Sequence, residues 1–146
     1  MHVLLTQLAS AAGLVLVMTL VHGAGVVGIA HWLGLDRART PTRRFHPRTL
    51  ALLSAVTLLL FGLHMVEITL FGLFYFWVGA TADFEEALYF SASAYSTLAQ
   101  PESHFPVAWR LVGALEGLVG FLLIGWSTAF FVTDMNKLLR AWPSRP

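Results

Sequence analysis

A chain of 146 residues that is 57% hydrophobic, with mean hydropathy +0.71 and 12% charged residues, is too apolar for an ordinary soluble domain. Its formal net charge of +1 hides a strong segregation of charge along the sequence. With no cysteine, disulfides, thiolate metal sites and cysteine catalysis are excluded, and no stretch is basic and aromatic enough to suggest nucleic acid.

The first apolar segment runs from about Leu8 to Ala30 within an N-terminal unit 1–30, and holds no charged residue, only His22. A secretory signal is the rival reading. No Lys or Arg precedes the segment while a dense Arg cluster follows it, which favours a permanent helix with its N-terminus outside. Ala24 and Gly28, four apart, form a small-xxx-small face that lets another helix approach closely. The connection 31–48 carries Arg37, Arg39, Arg43, Arg44 and Arg48 against the single acid Asp36, with Pro41 and Pro47 interrupting helix. Basic residues in short loops stay on the cytoplasmic side. Such a loop could also hold anionic lipid headgroups.

The second span, 49–78, would be about 45 Å long as a helix, more than the hydrocarbon thickness, so it is expected to tilt. Phe71, Phe74, Tyr75, Phe76 and Trp77 at its far end read as an aromatic belt at the outer interface. The stretch 83–102 follows. Its apolar run from Ala87 to Ala99 is too short and too rich in Ser and Thr to cross a bilayer, which takes about 20 apolar residues. Between two spans it reads as a half-length helix and irregular return, a re-entrant hairpin. Irregular backbone at that depth is tolerated where it is buried in protein or lines a water path. The third span is 106–133, and 134–146 is a tail with Lys137, Arg140 and Arg145, which leaves Arg110 alone elsewhere among the nine Lys and Arg. The expected topology in the plasma (inner) membrane is N-terminus outside, basic loop inside, hairpin outside and C-terminus cytoplasmic. Asp83, Glu85, Glu86 and Glu102 then fall outside, the first three near the start of the half-helix, where negative charge favours the helix dipole.

Ala87-Leu88-Tyr89-Phe90-Ser91, preceded by acids and followed by Ser96-Thr97-Leu98, resembles the pore helix and filter entry of the potassium-channel pore family. Trp109-Arg110-Leu111-Val112-Gly113 through Gly120 resembles that family's inner helix. The resemblance covers about Thr49 to Thr133 and leaves the first span outside it. It implies an all-α membrane protein of three transmembrane helices plus a re-entrant pore helix and loop, with a potassium-channel-like pore built by a homotetramer in the lipid bilayer. It implies Gly120 as a hinge and the segment Ser96, Thr97, Leu98, Ala99, Gln100 and Glu102 as the filter and ion pathway.

The filter departs from the family pattern Thr-Val-Gly-Tyr-Gly-Asp, because this chain has Thr97-Leu98-Ala99-Gln100-Pro101-Glu102. Glycines there reach backbone conformations that turn carbonyl oxygens toward the ion. Ala99 has a Cβ, and Pro101 fixes its own φ and restricts Gln100. A full potassium filter is therefore not expected, and the pore is read as weakly or not potassium-selective. The Thr97-Leu98 pair with its nearby acid also resembles, over two residues, the side-chain-lined filters of sodium channels.

Glu102, repeated around a symmetric mouth, would make a carboxylate ring that attracts cations; a solvated loop acid is the alternative. Glu116 lies roughly 15 Å of helix rise below the outer start of its span, and an acid at that depth marks a functional site by default. Glu67 lies at a similar depth, with His64 one turn away on the same face. The three are expected to bracket the pore loop and fix its backbone by hydrogen bonds, a packing-satisfied group or a titrating switch being the alternatives. Phe121, Ile124, Thr128 and Val132 follow Gly120 at helical spacing and are expected to line a cavity, with Phe121 and Ile124 as a hydrophobic gate. Ordinary helix packing would use the same spacing.

The leading function is thus a tetrameric channel passing monovalent cations passively, not an enzyme, with no cofactor, no resident metal and no small-molecule substrate. A non-conducting channel-like scaffold subunit is the alternative. A membrane haem or redox protein is another, since His22 and His64 on different spans could supply axial ligands.

Overall fold

A computed structural model describes residues 2–35, 47–98 and 106–139. The Asp36–Arg44 part of the basic loop, the filter positions Ala99, Gln100, Pro101 and Glu102, and Arg140 and Arg145 lie outside the described residues. The described chain is helical: α1 His2–Trp32, α2 Pro47–Trp77, α3 Phe84–Tyr95, a short 3-10 turn Val107–Trp109, and α4 Arg110–Leu139. Three of these are long and apolar enough to cross a membrane, over His2–Trp32, Thr49–Trp77 and Val107–Asn136. A chain whose long helices carry Leu16, Leu20, Val27, Leu58, Phe61 and Leu122 each about half exposed or more is built for lipid as its solvent.

The ends of the elements follow local chemistry. Pro47 opens α2, where its missing N–H would have no intrahelical partner. Gly79 closes α2 in the left-handed region (φ 68°), and the amides of Gly79 and Ala80 return to the carbonyls of Phe76 (3.1 Å) and Tyr75 (2.9 Å). Asp83 then caps α3 by accepting from the Glu86 amide at 2.7 Å, and Glu86 Oε2 accepts from the Ala82 amide at 3.1 Å. Asp83 and Glu86 are thus accounted for by capping, while Glu85 stands in the first turn at the positive end of the helix dipole. At its far end α4 continues to Leu139, past the expected boundary at 133, so the first residues of the expected tail are helix.

α1 runs beside α4 in the same direction and antiparallel to α2. Near its start, the buried Gln7 accepts the Leu111 amide of α4 through Oε1 at 3.0 Å, satisfying a donor that a helix start leaves unpaired. Its other end packs Val26 and Ile29 with Val56 and Leu60 of α2 and with Phe130 and Phe131 of α4. A larger core joins Met18 of α1, Ile68, Phe71 and Tyr75 of α2, Ala87 and Tyr95 of α3, and Val112, Val119 and Leu123 of α4. One expectation changes here. Phe71 (1% exposed) and Tyr75 (0%) are core rather than interface belt, because α3 folds back over them, while Trp77 (89%) stays outside. Within the single chain Ala24 and Gly28 are exposed, and it is Gly25 that makes room there, for the Leu63 side chain.

Candidate functional site: the seat and exit of a short buried helix

α3 is 12 residues, about 18 Å, and is wedged between α2 and α4. Glycines make the seat. A Cβ on Gly72 of α2 would stand 3.3 Å from the Leu88 Cα, and one on Gly117 of α4 would stand 3.0 Å from the Ala94 carbonyl oxygen. At Gly120 a Cβ would collide with the Tyr95 carbonyl oxygen and ring. Small residues at such contacts let helix backbones touch where apolar side chains gain nothing over lipid. Gly120 lies close to the middle of the apolar span Val107–Asn136, so α3 starts near the beginning of α4 and ends halfway along it. α4 passes Gly120 as unbroken helix.

Two buried carboxylates grip α3 from either side. Glu116 of α4 (1% exposed) accepts from Tyr75 of α2 at 2.6 Å through Oε2 and from Ser91 of α3 at 2.5 Å through Oε1. The Ser91 hydroxyl also lies 2.8 Å from the Ile68 carbonyl, so one serine joins α3 to both long helices. Glu67 of α2 (0% exposed) accepts from the Tyr95 hydroxyl in the last turn of α3. The carboxylates therefore hold α3 by its side-chain hydroxyls. No hydrogen bond from Glu67, His64 or Glu116 to the backbone of the loop after it is found among the described residues.

The Glu67 cluster is the denser of the two. His64 Nδ1, one turn earlier on α2, lies 3.1 Å from Glu67 Oε2 and 2.8 Å from the Tyr95 hydroxyl. From α1, the fully buried His22 places Nδ1 2.8 Å from Glu67 Oε1 and Nε2 3.4 Å from Ser127 Oγ of α4. Its ring packs on Trp126, centroids 5.2 Å apart, and on His64 at 5.5 Å. Side chains of α1, α2 and α3 thus meet at one carboxylate, and α4 joins them through Ser127 on His22. Both imidazoles turn Nδ1 toward Glu67, with its carboxylate between them, an arrangement unlike a pair of axial ligands facing each other across a porphyrin.

Past Tyr95 the chain leaves α3 by a conformation that its sequence resists. Ser96 caps the helix and bonds back through Oγ to the Ala92 carbonyl at 2.7 Å. Thr97 follows with φ 59°, the only positive φ at a non-glycine among the described residues. The amides of Thr97 and Leu98 return to Ala94 (2.9 Å) and Ser93 (3.0 Å), the same pair of bonds that closes α2 at Gly79. A β-branched residue in the left-handed region is held there by its surroundings, at a cost of order 1–3 kcal/mol. Thr97 and Leu98 are exposed, Leu98 by 67%.

These two residues, with Phe90, Ala94, Gly117 and Phe121, line an open groove of about 490 Å³ between α3 and α4. Phe121, Ile124, Thr128 and Val132 continue that side of α4 and are all exposed in the single chain, Phe121 by 65%. Sequence reasoning placed Glu67, His64 and Glu116 beside α3 but gave no part to His22, Tyr75, Ser91 or Tyr95 in holding it. A trace existed: His22 is the one titratable side chain in the apolar run from Leu8 to Ala30, and a polar group there needs a partner. No protein-family model matches the chain, and no characterised protein or solved structure is significantly similar to it.

Proposed function

We propose that the chain is one subunit of a tetrameric channel that passes monovalent cations, with α3 as a re-entrant pore helix. One α2–α3–α4 unit cannot enclose a conduit by itself, so a channel needs copies arranged about an axis. The observation that carries it is the length and seating of α3: a capped helix of half-membrane length, held by hydroxyl–carboxylate bonds and ending against Gly120 near the middle of the α4 span. Its C-terminal carbonyls would point partial negative charge toward the bilayer centre and favour a cation there.

In this reading Ser96, Thr97 and Leu98 begin the ion pathway, Ala99, Gln100 and Glu102 continue it, and the strained Thr97 is the first residue of the filter. The exposed face Phe121–Ile124–Thr128–Val132 lines the inner cavity, with Phe121 and Ile124 as a dewetting gate and Gly120 as the bend point. The N-terminus lies outside and the basic loop and tail inside the plasma membrane. Glu116 and Glu67 keep α3 in place against the field of permeating ions.

Cation flux into liposomes holding the purified chain tests this directly. The sequence has no cysteine, so single substitutions Leu98→Cys and Phe121→Cys can be labelled without background. The expected result is a tetrameric particle whose monovalent-cation flux falls when either cysteine receives a charged thiol reagent. A folded particle that is monomeric, or a tetramer silent to every monovalent cation across pH, would end the proposal. The silent tetramer would favour the second reading, a scaffold subunit that keeps the architecture without conduction, which Ala99 and Pro101 in place of filter glycines support.

A further inference from the structure

The cluster of His22, His64 and Glu67 does more than position α3. We propose that it is a binding site for one divalent transition metal ion, of the Zn²⁺ class, with the Tyr95 hydroxyl oxygen as a fourth ligand atom. The donor set is right for such an ion, since imidazole nitrogen and carboxylate oxygen are its common ligands in a four-coordinate site. The spacing fits as well. Ligand atoms held about 2.0–2.1 Å from a tetrahedral metal lie about 3.3 Å from one another. Here His22 Nδ1 is 2.8 Å from Glu67 Oε1, His64 Nδ1 is 3.1 Å from Glu67 Oε2 and 2.8 Å from the Tyr95 oxygen, and one ligand atom from each of His22, His64 and Glu67 lies within 4.8 Å of the others. The bonded pairs lie a few tenths of an ångström inside that spacing and the 4.8 Å limit lies outside it. Side-chain shifts about Glu67 would therefore bring the four atoms round one ion, and the protons now bridging them would leave as the metal enters.

Two features beyond the ligands point the same way. A ligating histidine generally hands its other ring N–H to a second group, and Ser127 Oγ lies 3.4 Å from His22 Nε2 in position to take it. The His64 side chain is 16% exposed in the single chain while His22 and Glu67 are sealed, so among the described residues His64 marks the uncovered side of the cluster. Because the ligands come from α1, α2 and α3, the ion would clamp the N-terminal helix to the short helix two residues before Thr97. Metal binding here does not depend on whether the chain conducts.

The test uses the full chain in detergent, stripped with chelator and then titrated with Co²⁺, whose visible d–d bands report tetrahedral nitrogen–oxygen ligation, with Zn²⁺ as competitor and metal content measured by mass spectrometry. The expected result is one equivalent per chain, displaced by Zn²⁺ and retained when His2, His31, His46 and His104 are all replaced by Gln. His22→Gln and His64→Gln should each weaken binding at least about 100-fold, and Ser127→Ala about 10-fold. Absence of the bands in folded wild-type protein, or their loss in the four-histidine variant, would overturn the site. So would unchanged binding in folded His22→Gln and His64→Gln. If those two variants fail to fold, the wild-type and four-histidine titrations still decide.

Discussion

Glu67 and Glu116 invite comparison because they begin alike. Both are glutamates on apolar helices, both are sealed from solvent at 0% and 1% exposure, and both reach α3 through a hydroxyl. A carboxyl group in such a place is affordable only when its oxygens are bonded. Their partners then separate them. Among the described residues Glu116 meets only hydroxyls, from Tyr75 and Ser91, which can do little except hold. Glu67 meets two imidazoles as well as Tyr95, from three helices, and imidazoles can exchange a shared proton for a metal ion. Depth and residue type made each glutamate conspicuous, but the company each keeps decides whether it is a brace or a site.

The largest effect should come from removing either carboxylate. Glu116→Ala takes a buried carboxylate from Tyr75 and Ser91, and Glu67→Ala takes one from Tyr95, His22 and His64, so each should cost about 3 kcal/mol or more in detergent unfolding. The comparison sharpens when Zn²⁺ is added. The rise in unfolding temperature it produces should survive Glu116→Ala and vanish in Glu67→Ala, since only a ligand binding the folded state stabilises it. Equal rises in both variants would make the two carboxylates equivalent.

Next in size is the seat of α3. Gly120→Leu places side-chain atoms where the Tyr95 backbone lies and should cost about 1–3 kcal/mol by overpacking. Gly125→Ala, with nothing near its Cα face, should be neutral or stabilising by up to about 1 kcal/mol. If the two substitutions matched, close packing of α3 on α4 would not be what Gly120 provides.

The hydroxyls come third. Tyr95→Phe and Tyr75→Phe each remove one hydrogen bond to a carboxylate and should cost about 1–2 kcal/mol apiece. As they serve different carboxylates, the double variant should be additive within about 0.5 kcal/mol, and a larger coupling would join the two grips into one network. The smallest effect is expected at the exit of α3. Thr97→Gly relieves a left-handed φ of 59° and should stabilise the fold by up to about 1 kcal/mol, the glycine's greater chain entropy offsetting part of the gain. A destabilised Thr97→Gly would mean that the threonine side chain contributes more than its backbone conformation costs.

The sequence by itself determined the elements and some of their ends. Long uncharged runs can only be helices where water is absent, and Pro47, Gly79 and Asp83 set boundaries by chemistry that acts within a few residues. It also exposed Glu67, His64 and Glu116, because polar groups in apolar runs need partners. It did not show which face of each helix turns inward. The long helices are apolar on every side, so no stripe marks the core, and that is why Phe71 and Tyr75 read as an interface belt. Only the tertiary structure brought His22 to Glu67 across 45 residues, set Ser91 and Tyr95 on the two carboxylates, and laid α3 along Gly117 and Gly120. Pairing of buried polar groups and close backbone contact are properties of two surfaces together, and neither surface carries them alone.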